Sequence, residues 1–383
     1  MLADIYLDHA ASTPVDPRVV EAMAHEMLSG YGNAAAAHAR GRRAARSLEQ
    51  ARERVAMLLN ASARRLVFTS GATEALNTAI KGIASACKPG ARLIVSAIEH
   101  KAVLQAADAA AEANALKLVE VAVTAEGVVD LVALAEACDA GPAALVALMA
   151  ANNETGVLQP VGQAADMAHA AGAVLVCDAT QAAGKVPIDL EALGVDWAAV
   201  SAHKFHGPQG VGVLVRPRVM PAGFAPLIHG GGHEGGLRSG SSNVAGIVGL
   251  GVAAEFAREG LEERRRTTAA LRDILESALV VRLGAEPVGA SAERLPGHSC
   301  VRVPGVDGEA LVARTQRVAF STGSACSSSV PTPSHVLLAM GMSPGSAEET
   351  IRLSIGRDTT EAEVAAAVEA LASSTRALRE LAT

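Results

Sequence analysis

Short apolar runs alternate with helix-like stretches through the first part of the chain. Runs that are apolar throughout predict buried parallel strands, and apolar residues spaced three or four apart predict helices. This alternation predicts an α/β fold with a mostly parallel central sheet and helices on both faces. The predicted strands of the sheet are 65–69, 92–96, 116–121, 144–149, 174–178, 196–201 and 210–215.

Helices are predicted between these strands, and the pattern changes after residue 215. The first helix has Asp16 as its N-cap and Pro17 in its first turn. After a long helix at 245–281, helices alternate with short strands predicted at 299–303, 318–321 and 350–355, which indicates a smaller α+β domain. We therefore expect a large domain at 16–250 and a small one made of 1–15 and 251–383. The predicted helices are 17–28, 39–59, 75–86, 101–114, 161–171, 245–281, 307–315, 334–340 and 360–381.

Polar side chains follow the predicted strands at their carboxyl ends, where α/β sheets bind ligands. Asp178 ends the apolar run Val174-Leu-Val-Cys-Asp178, and Lys204 follows a neighbouring run. A buried carboxylate needs a cationic partner. The two residues therefore either form a structural ion pair or bind one ligand together. In the second case Asp178 would pair with a protonated ring nitrogen and Lys204 would condense with an aldehyde. The second arrangement is the way proteins hold pyridoxal phosphate.

Other polar residues converge on the same edge of the predicted sheet. Ser70-Gly71-Ala72-Thr73 joins a strand to a helix, which is the geometry of an anion site. The convergence of several strand ends is stronger support for a ligand site than any single motif. The residues at this edge are 70–73, His100, Asn153, Asp178–Gln181 and Ser201–Lys204.

Composition narrows the class of protein. Half of the 383 residues are hydrophobic, only 2% are aromatic, and the formal net charge is −7. No long basic run suggests nucleic acid, and no apolar segment approaches the roughly 20 residues of a membrane span. The first residues lack the pattern of a secretory signal, so we expect a cytoplasmic protein. Five cysteines without a CxxC spacing argue against a metal site and against a disulfide framework.

The chain resembles the cysteine desulfurases, which are fold-type I pyridoxal phosphate (PLP) enzymes of the aminotransferase class V group. The resemblance covers nearly the whole chain, and the length of the loop after Cys326 resembles the NifS/IscS-like branch. The motifs that carry it are Tyr6-Leu-Asp-His-Ala-Ala-Ser-Thr-Pro14, Phe68-Thr-Ser-Gly-Ala-Thr-Glu74, Glu99-His-Lys-Ala-Val103, Asn152-Asn-Glu-Thr-Gly156, Asp178-Ala-Thr-Gln181, Ser201-Ala-His-Lys204, His229-Gly-Gly-Gly-His-Glu, Arg238-Ser-Gly and Ser324-Ala-Cys326.

The resemblance implies a role for each matching residue. Lys204 would condense with the aldehyde of PLP, Asp178 would pair the pyridinium nitrogen, and His100 would stack on the ring and help to move protons. A guanidinium suits the planar contact with the substrate carboxylate, the role implied for Arg352. The remaining implied contacts are the phenolic oxygen side of the cofactor for Asn153 and Gln181, its phosphate for Thr73, Ser201 and His203, the cofactor for Ala72, the substrate for Asn33, and the phosphate of a partner subunit for Ser241.

The implied reaction converts L-cysteine to L-alanine. L-cysteine displaces Lys204 from the cofactor, and Lys204 then removes the α-proton. The Cys326 thiolate attacks the substrate's sulfur, so the enzyme keeps a persulfide while alanine leaves. The resemblance also implies a homodimer and a sulfur acceptor protein, such as an iron–sulfur scaffold. It does not choose among iron–sulfur assembly, tRNA thiolation and nitrogenase maturation.

Three other functions stay open at this point. A class V aminotransferase or a selenocysteine lyase would share the architecture, and an aminotransferase would need no thiol at 326. A non-catalytic scaffold would share the fold but is expected to have lost Lys204 or Asp178, and both are present. The chain also departs from the family pattern at Ala34–Ala37, where a proline and small polar residues are usual, and at His206, where tyrosine is common.

Overall fold

The computed structural model describes residues 5–323 and 332–381, and it has the predicted α/β architecture. The strands are β1 (Ile5–Tyr6), β2 (Leu66–Thr69), β3 (Arg92–Ser96), β4 (Lys117–Val121), β5 (Ala143–Ala147), β6 (Val174–Asp178), β7 (Trp197–Ser201), β8 (Gly212–Val215), β9 (Glu286–Pro287), β10 (His298–Arg302), β11 (Val318–Ala319), β12 (Ser321–Thr322) and β13 (Thr350–Ser354). The helices are α1 (Pro17–Ser29), α2 (Ala39–Leu59), α3 (Ala72–Ser85), α4 (Lys101–Asn114), α5 (Leu131–Asp139), α6 (Val161–Ala170), α7 (Val244–Arg258), α8 (Leu261–Leu283), α9 (Gly308–Arg314), α10 (His335–Ala339), α11 (Pro344–Glu348) and α12 (Glu361–Leu381).

The central sheet has seven strands in the order β2-β8-β7-β6-β5-β3-β4. Only β8 runs antiparallel to its neighbours, so the sheet is mostly parallel, as predicted. Alternate residues of each strand point to opposite faces and enter two separate apolar clusters. One cluster joins the sheet to α2, α5, α6 and α7, and the other joins it to α3 and α4. Helices on both faces explain why the strands are apolar throughout.

The C-terminal part of the chain forms a separate, mostly antiparallel sheet in the order β12-β13-β10-β9. Its core also takes in Leu7 from the N-terminal segment, Leu275 from α8 and Val368 from α12. Strand β1 pairs with β11, so the first described residues pack with the C-terminal part. The helix α7 packs on the central sheet as far as Ala257. The division into 16–250 and the remainder stays our prediction for the domain boundaries.

Local structure differs from the sequence-based expectation in three elements. The long helix predicted at 245–281 is two helices, because Gly260 between α7 and α8 has a left-handed backbone with φ of 64°. The helix predicted to begin at residue 75 begins at Ala72, directly after the glycine turn. The strand predicted at 318–321 is divided between β11 and β12, which belong to different sheets. Helices α5 and α11 were not predicted.

Capping explains several helix starts that the sequence did predict. The Asp16 carboxylate accepts a hydrogen bond from the main-chain N–H of Arg18 at 2.9 Å, and Pro17 opens α1. Asp307 caps α9 in the same way through Ala310. No helix in the described part of the chain is both long and apolar enough to cross a membrane.

We expect Gly212→Ala to destabilise the fold. Gly212 lies in β8, and a Cβ there would come within 2.6 Å of the Cα of Gly71 and within 2.6 Å of the carbonyl oxygen of Val200. Both are main-chain atoms that cannot rotate away, so we expect a loss of about 1–3 kcal/mol in the free energy of unfolding, measured with urea.

Gly345→Ala is the matched control for this substitution. Gly345 lies in α11 and no heavy atom would meet the added Cβ within 4 Å. We expect unchanged or slightly increased stability, because alanine favours a helix. Equal urea midpoints for the two variants would contradict the close approach of β8 to the Gly71 turn.

Candidate active site

A cavity of about 480 Å³ lies beyond the carboxyl ends of the parallel strands. Its position follows the rule for ligand sites in open α/β sheets. Most of the residues predicted for the site line it together. Those residues are Ala72, Thr73, His100, Asn153, Asp178, Gln181, Ser201, His203, Lys204 and Arg352.

Asp178 and Lys204 share this cavity, as the sequence predicted. Strands β6 and β7 are parallel neighbours, and Asp178 lies opposite Ala199. The residues that follow the two strands therefore lie at the same edge of the sheet. The Asp178 side chain is 8% exposed, and its Oδ1 accepts a hydrogen bond from the N–H of Thr180 at 3.0 Å. The Lys204 Nζ donates to the carbonyl oxygens of Ala10 and Ala11 at 2.7 and 2.8 Å.

The N-terminus of α3 forms one end of the cavity. Gly71 precedes the helix with φ of 156°, and a Cβ on it would meet Ser201 Oγ at 3.5 Å. Ser201 Oγ in turn lies 2.9 Å from Nδ1 of His203. Burial and the nearby amines of Lys204 and Lys185 lower the pKa of His203 to about 4. Hydroxyl groups, an imidazole and free helix N–H groups together make a site suited to an anion.

His100 is the N-cap of α4 and lies at the other side of the cavity. Its Nδ1 accepts a hydrogen bond from the N–H of Ala102 at 3.1 Å. Burial lowers the pKa of His100, and the positive charge of Lys204 acts in the same direction, while Asp178 opposes it. A neutral imidazole whose Nδ1 accepts must carry its proton on Nε2. His100 can therefore donate a hydrogen bond from Nε2.

Lys185 is a neighbour of the cavity that the sequence analysis missed. Its Nζ donates to Oε1 of Gln181 at 2.7 Å, while Nε2 of Gln181 donates to the carbonyl of Ala10 at 2.9 Å. The amide orientation of Gln181 is thus fixed at both ends. Burial lowers the pKa of Lys185 well below its usual value, and the charges of Lys204 and Arg352 contribute. Its spacing of four residues from Gln181 was a visible clue.

Arg352, in β13, links the C-terminal sheet to the cavity. The side chain is 2% exposed. One terminal nitrogen donates to Oδ1 of Asp8 at 2.8 Å and to Oγ of Ser321 at 2.7 Å, and the other donates to the carbonyl oxygen of Asn153 at 2.9 Å. Its Nε is buried and has no hydrogen-bond partner among the described residues. A substrate carboxylate would therefore meet a guanidinium that is already held in place.

Two buried glutamates beside the cavity were also missed. Glu99 is completely buried, and its Oε1 accepts from the N–H of Met149 at 2.7 Å. Burial raises the pKa of Glu99 to about 8, and the negative charge of Asp178 adds to the effect. Burial likewise raises the pKa of Glu154 to about 7, against the hydrogen bond that Ser334 donates to it. Their burial arises from packing between distant segments, so the sequence gave little sign of either pKa shift.

Two of the predicted residues that the structure describes do not line the cavity. Asn33 is exposed, does not line the cavity, and accepts a hydrogen bond from the N–H of Ala35 at 2.9 Å. Ser241 is exposed and also does not line the cavity of its own chain. Cys326 lies outside the described residues. The three assignments stay predictions. Residues 5–323 and 332–381 contain no group of three or more side chains that could hold a metal ion.

Comparisons with known proteins agree on one family. The family model described as aminotransferase class-V matches residues 5–367. The chain is 44% identical over 389 residues to the cysteine desulfurase of Frankia sp. (strain EuIK1), across 98% of this chain and 92% of that protein. It is also 44% identical over 384 residues to the cysteine desulfurase IscS of Anaeromyxobacter dehalogenans (strain 2CP-C), across 100% of this chain and 95% of that protein.

Solved structures give the same result. A NifS-like protein superposes with a TM-score of 0.90 at 38% identity, covering 97% of this chain and 98% of that one. A structure described as SspA in complex with cysteine has a TM-score of 0.81 at 33% identity, covering 92% and 98%. The chain therefore belongs to the aminotransferase class-V family. Within that family it is a cysteine desulfurase, which confirms the resemblance of its motifs.

Glu99→Gln is expected to flatten the dependence of stability on pH. The pKa of Glu99 is raised from 4.5 to about 8, so the folded protein holds this proton more tightly than the unfolded chain. The resulting stability is fully present below the unfolded pKa and is lost as the pH rises toward the folded one. Glutamine cannot titrate, and we expect the fall in the free energy of unfolding between about pH 5 and 8 to shrink by a few kcal/mol.

Glu112→Gln provides the control, because Glu112 is exposed on the outer face of α4. Urea unfolding at several pH values should show the wild-type slope for this variant. An unchanged slope in Glu99→Gln would mean that Glu99 is ionised in the folded protein.

Proposed function

We propose that this cysteine desulfurase binds pyridoxal 5'-phosphate in the cavity at the carboxyl ends of the strands and there converts L-cysteine to L-alanine. One observation carries the proposal: an amine, Lys204, and a carboxylate, Asp178, line the same cavity, and a helix N-terminus forms one end of it. A ligand with an aldehyde, a basic ring nitrogen and a phosphate would match these three groups.

The residues of the cavity fit this cofactor. The phosphate would lie at the α3 N-terminus with Thr73, Ser201 and His203, where Gly71 leaves room that a side chain would reduce. Asp178 would hold the protonated ring nitrogen, and Lys204 would condense with the aldehyde. His100 would lie over the ring, with Asn153 and Gln181 beside its phenolic oxygen.

When bound, pyridoxal phosphate supplies an electron sink for the negative charge that develops at the substrate's α-carbon. The protein contributes proton transfer and orientation. Lys204 Nζ takes the α-proton, and the carbonyl oxygens of Ala10 and Ala11 fix the position of that amine. Arg352 binds the substrate carboxylate, and His100 donates from Nε2. Charge neutralisation by Asp178 keeps the ring nitrogen protonated.

Arg352→Lys tests the substrate contact. A lysine cannot reproduce the contacts that Arg352 makes to Asp8, Ser321 and Asn153, nor a two-point contact with a carboxylate. We expect the KM for L-cysteine to rise about tenfold or more, since charge-assisted hydrogen bonds contribute roughly 1.5–3 kcal/mol, with a smaller change in kcat.

Arg302→Lys is the matched control. Arg302 lies on the neighbouring strand β10 and pairs with Glu349 and Glu286 outside the cavity. Its steady-state constants should equal those of the wild type. If the Arg352→Lys enzyme folds and its KM for L-cysteine is unchanged, Arg352 does not bind the substrate carboxylate.

Cys326 is proposed to accept the sulfur as a persulfide. Its thiolate attacks the substrate's sulfur, the carbon–sulfur bond breaks, and the electron pair of that bond with a proton goes to carbon as alanine forms. The assignment rests on the Ser324-Ala-Cys326 motif and on membership of the family. A class V aminotransferase would not need this thiol.

Cys326→Ser distinguishes a cysteine desulfurase from an aminotransferase. We expect the purified variant to stay yellow with bound cofactor but to lose the persulfide, measured by mass spectrometry after incubation with L-cysteine. Cys87→Ser is the control, because Cys87 lies at the end of α3 away from the cavity and burial raises the pKa of its thiol. Undiminished sulfide release from Cys326→Ser would overturn the nucleophile assignment.

The relatives and the position of Ser241 also support a sulfur acceptor and a homodimer. The name IscS among the relatives supports delivery of sulfur to an iron–sulfur scaffold protein. A homodimer is proposed because Ser241 is exposed on its own subunit, where a hydroxyl could reach the phosphate of a partner's cofactor. Cytoplasmic location stays a prediction. Capture of persulfide acceptors from the native cell identifies the pathway.

A further inference from the structure

A second, smaller cavity lies behind Lys204, between α7, α8 and the turn after β13. Its volume is about 70 Å³. On this measure a void needs roughly 10–15 Å³ to hold one water molecule, so there is room for several waters or one small ion. Lys204 lines both cavities, whereas Asp178 and His100 line the cofactor cavity but not this one. The second cavity is therefore a separate space behind the catalytic lysine.

The walls of this cavity carry an excess of positive charge. Among the described acidic residues only Asp16 lines it, against the five basic residues Lys185, Lys204, Arg264, Arg265 and Arg357. Arg357 is paired with Asp16 at 2.8 Å and with Asp358 at 3.2 Å, and Arg265 is paired with Glu262. The guanidinium of Arg264 donates to main-chain carbonyls of α7 and the turn after it, which orient the charge but do not neutralise it. Within the described chain, no lining carboxylate pairs with Arg264.

Three histidines complete the walls: His9, His206 and His298. His298 is 2% exposed and His9 is 8% exposed. Nε2 of His298 and Nδ1 of His9 are buried without a hydrogen-bond partner within residues 5–323 and 332–381. A buried polar atom without a hydrogen-bond partner destabilises the folded state. Both histidines line the void, so a polar ligand there could satisfy these two atoms.

The charges around the void favour an anion over water. Burial lowers the pKa of His298 well below its usual value, and the positive charges of Lys185, Arg352, Lys204 and Arg294 add to the effect. Loss of the His298 proton thus relieves the repulsion between this imidazole and the cations around it. An anion would relieve the same repulsion while the protons stay bound.

Burial lowers the pKa of His9 to about 4, and the positive charges of His206 and Lys185 add to the effect. A hydrogen bond to the Tyr6 main chain and the negative charge of Asp358 oppose this shift. His9 and His206 face each other with ring centroids 6.5 Å apart. His206 already bonds the carbonyl of Pro14 through Nδ1 at 2.9 Å. His9 and His298 therefore each have a ring nitrogen that could bind a ligand in the cavity.

We propose that this cavity binds one small inorganic anion of the size of chloride, held by His298, His9 and Arg264. The anion joins the central-sheet part of the chain, which supplies Lys185 and α7, to the C-terminal part, which supplies His298 and Arg357. It also supplies negative charge behind Lys204. The site is distinct from the cofactor's phosphate site at the N-terminus of α3.

Bromide is the probe for this site. Crystals of the holoenzyme grown without halide and soaked in sodium bromide should show an anomalous peak inside the cavity, and the filled cofactor site removes the competing phosphate position. A peak beside Arg352 does not count, because position separates the two sites. Ordered water with no anomalous peak in the cavity at saturating bromide overturns the proposal.

Melting temperatures of the holoenzyme test the site in solution. Chloride should raise the wild-type Tm by about 2 °C or more relative to gluconate at equal ionic strength, because gluconate is too large for the void. We expect this difference to vanish in Arg264→Gln and in His298→Leu. If the leucine variant does not fold, Arg264→Gln alone decides the result.

Arg266→Gln is the matched control, since Arg266 is an exposed neighbour on α8 that pairs with Glu263 and does not line the cavity. It should keep the full chloride effect. An equal chloride effect in Arg264→Gln and Arg266→Gln would show that the salt acts on the general surface and would overturn the proposal.

Discussion

The site depends on the main-chain segment from Asp8 to Thr13, which crosses from the C-terminal sheet to the cofactor cavity. Asp8 pairs with Arg352, and the N–H of Ala10 donates to Ser354 Oγ at 2.7 Å. The carbonyl of Ala10 accepts from both Lys204 and Gln181. A short segment of irregular backbone thus fixes the reactive amine relative to the residues that would bind the substrate. The main-chain N–H groups from His9 to Thr13 are all hydrogen-bonded, which is how irregular backbone can be buried here.

The electrostatics of the site follow from this enclosure. Basic groups outnumber acidic ones around Lys204, and burial lowers the pKa values of His203, Lys185 and His298. Asp178 opposes this positive field at His100. Both proposed ligands of the main cavity, a phosphate ester and an amino acid carboxylate, bring the negative charge that these walls lack. The protein thus positions its positive charge before the ligands bind, which lowers the cost of reorganisation.

Sequence pattern predicted the sheet and the main site because both depend on local periodicity and on where strands end. Apolar runs placed Asp178 and Lys204 at one edge, and the motifs that resemble the family assigned most of the cavity lining. The break at Gly260 was missed, because helical periodicity continues on both sides of it. Glu99 and Lys185 were missed because their roles depend on burial, and burial arises from packing between segments distant in the sequence.

The turn from Asn152 to Gly156 shows how one short motif serves both parts of the chain. The carbonyl of Asn153 holds Arg352, and the carboxylate of Glu154 accepts a hydrogen bond from Ser334 at the start of α10. Gly156 has φ of 77°, and a Cβ there would clash with the side chain of His298. The turn therefore contacts β13, α10 and β10 at once. A movement of the C-terminal sheet would therefore also displace this turn, because a packed turn transmits displacement rather than absorbing it.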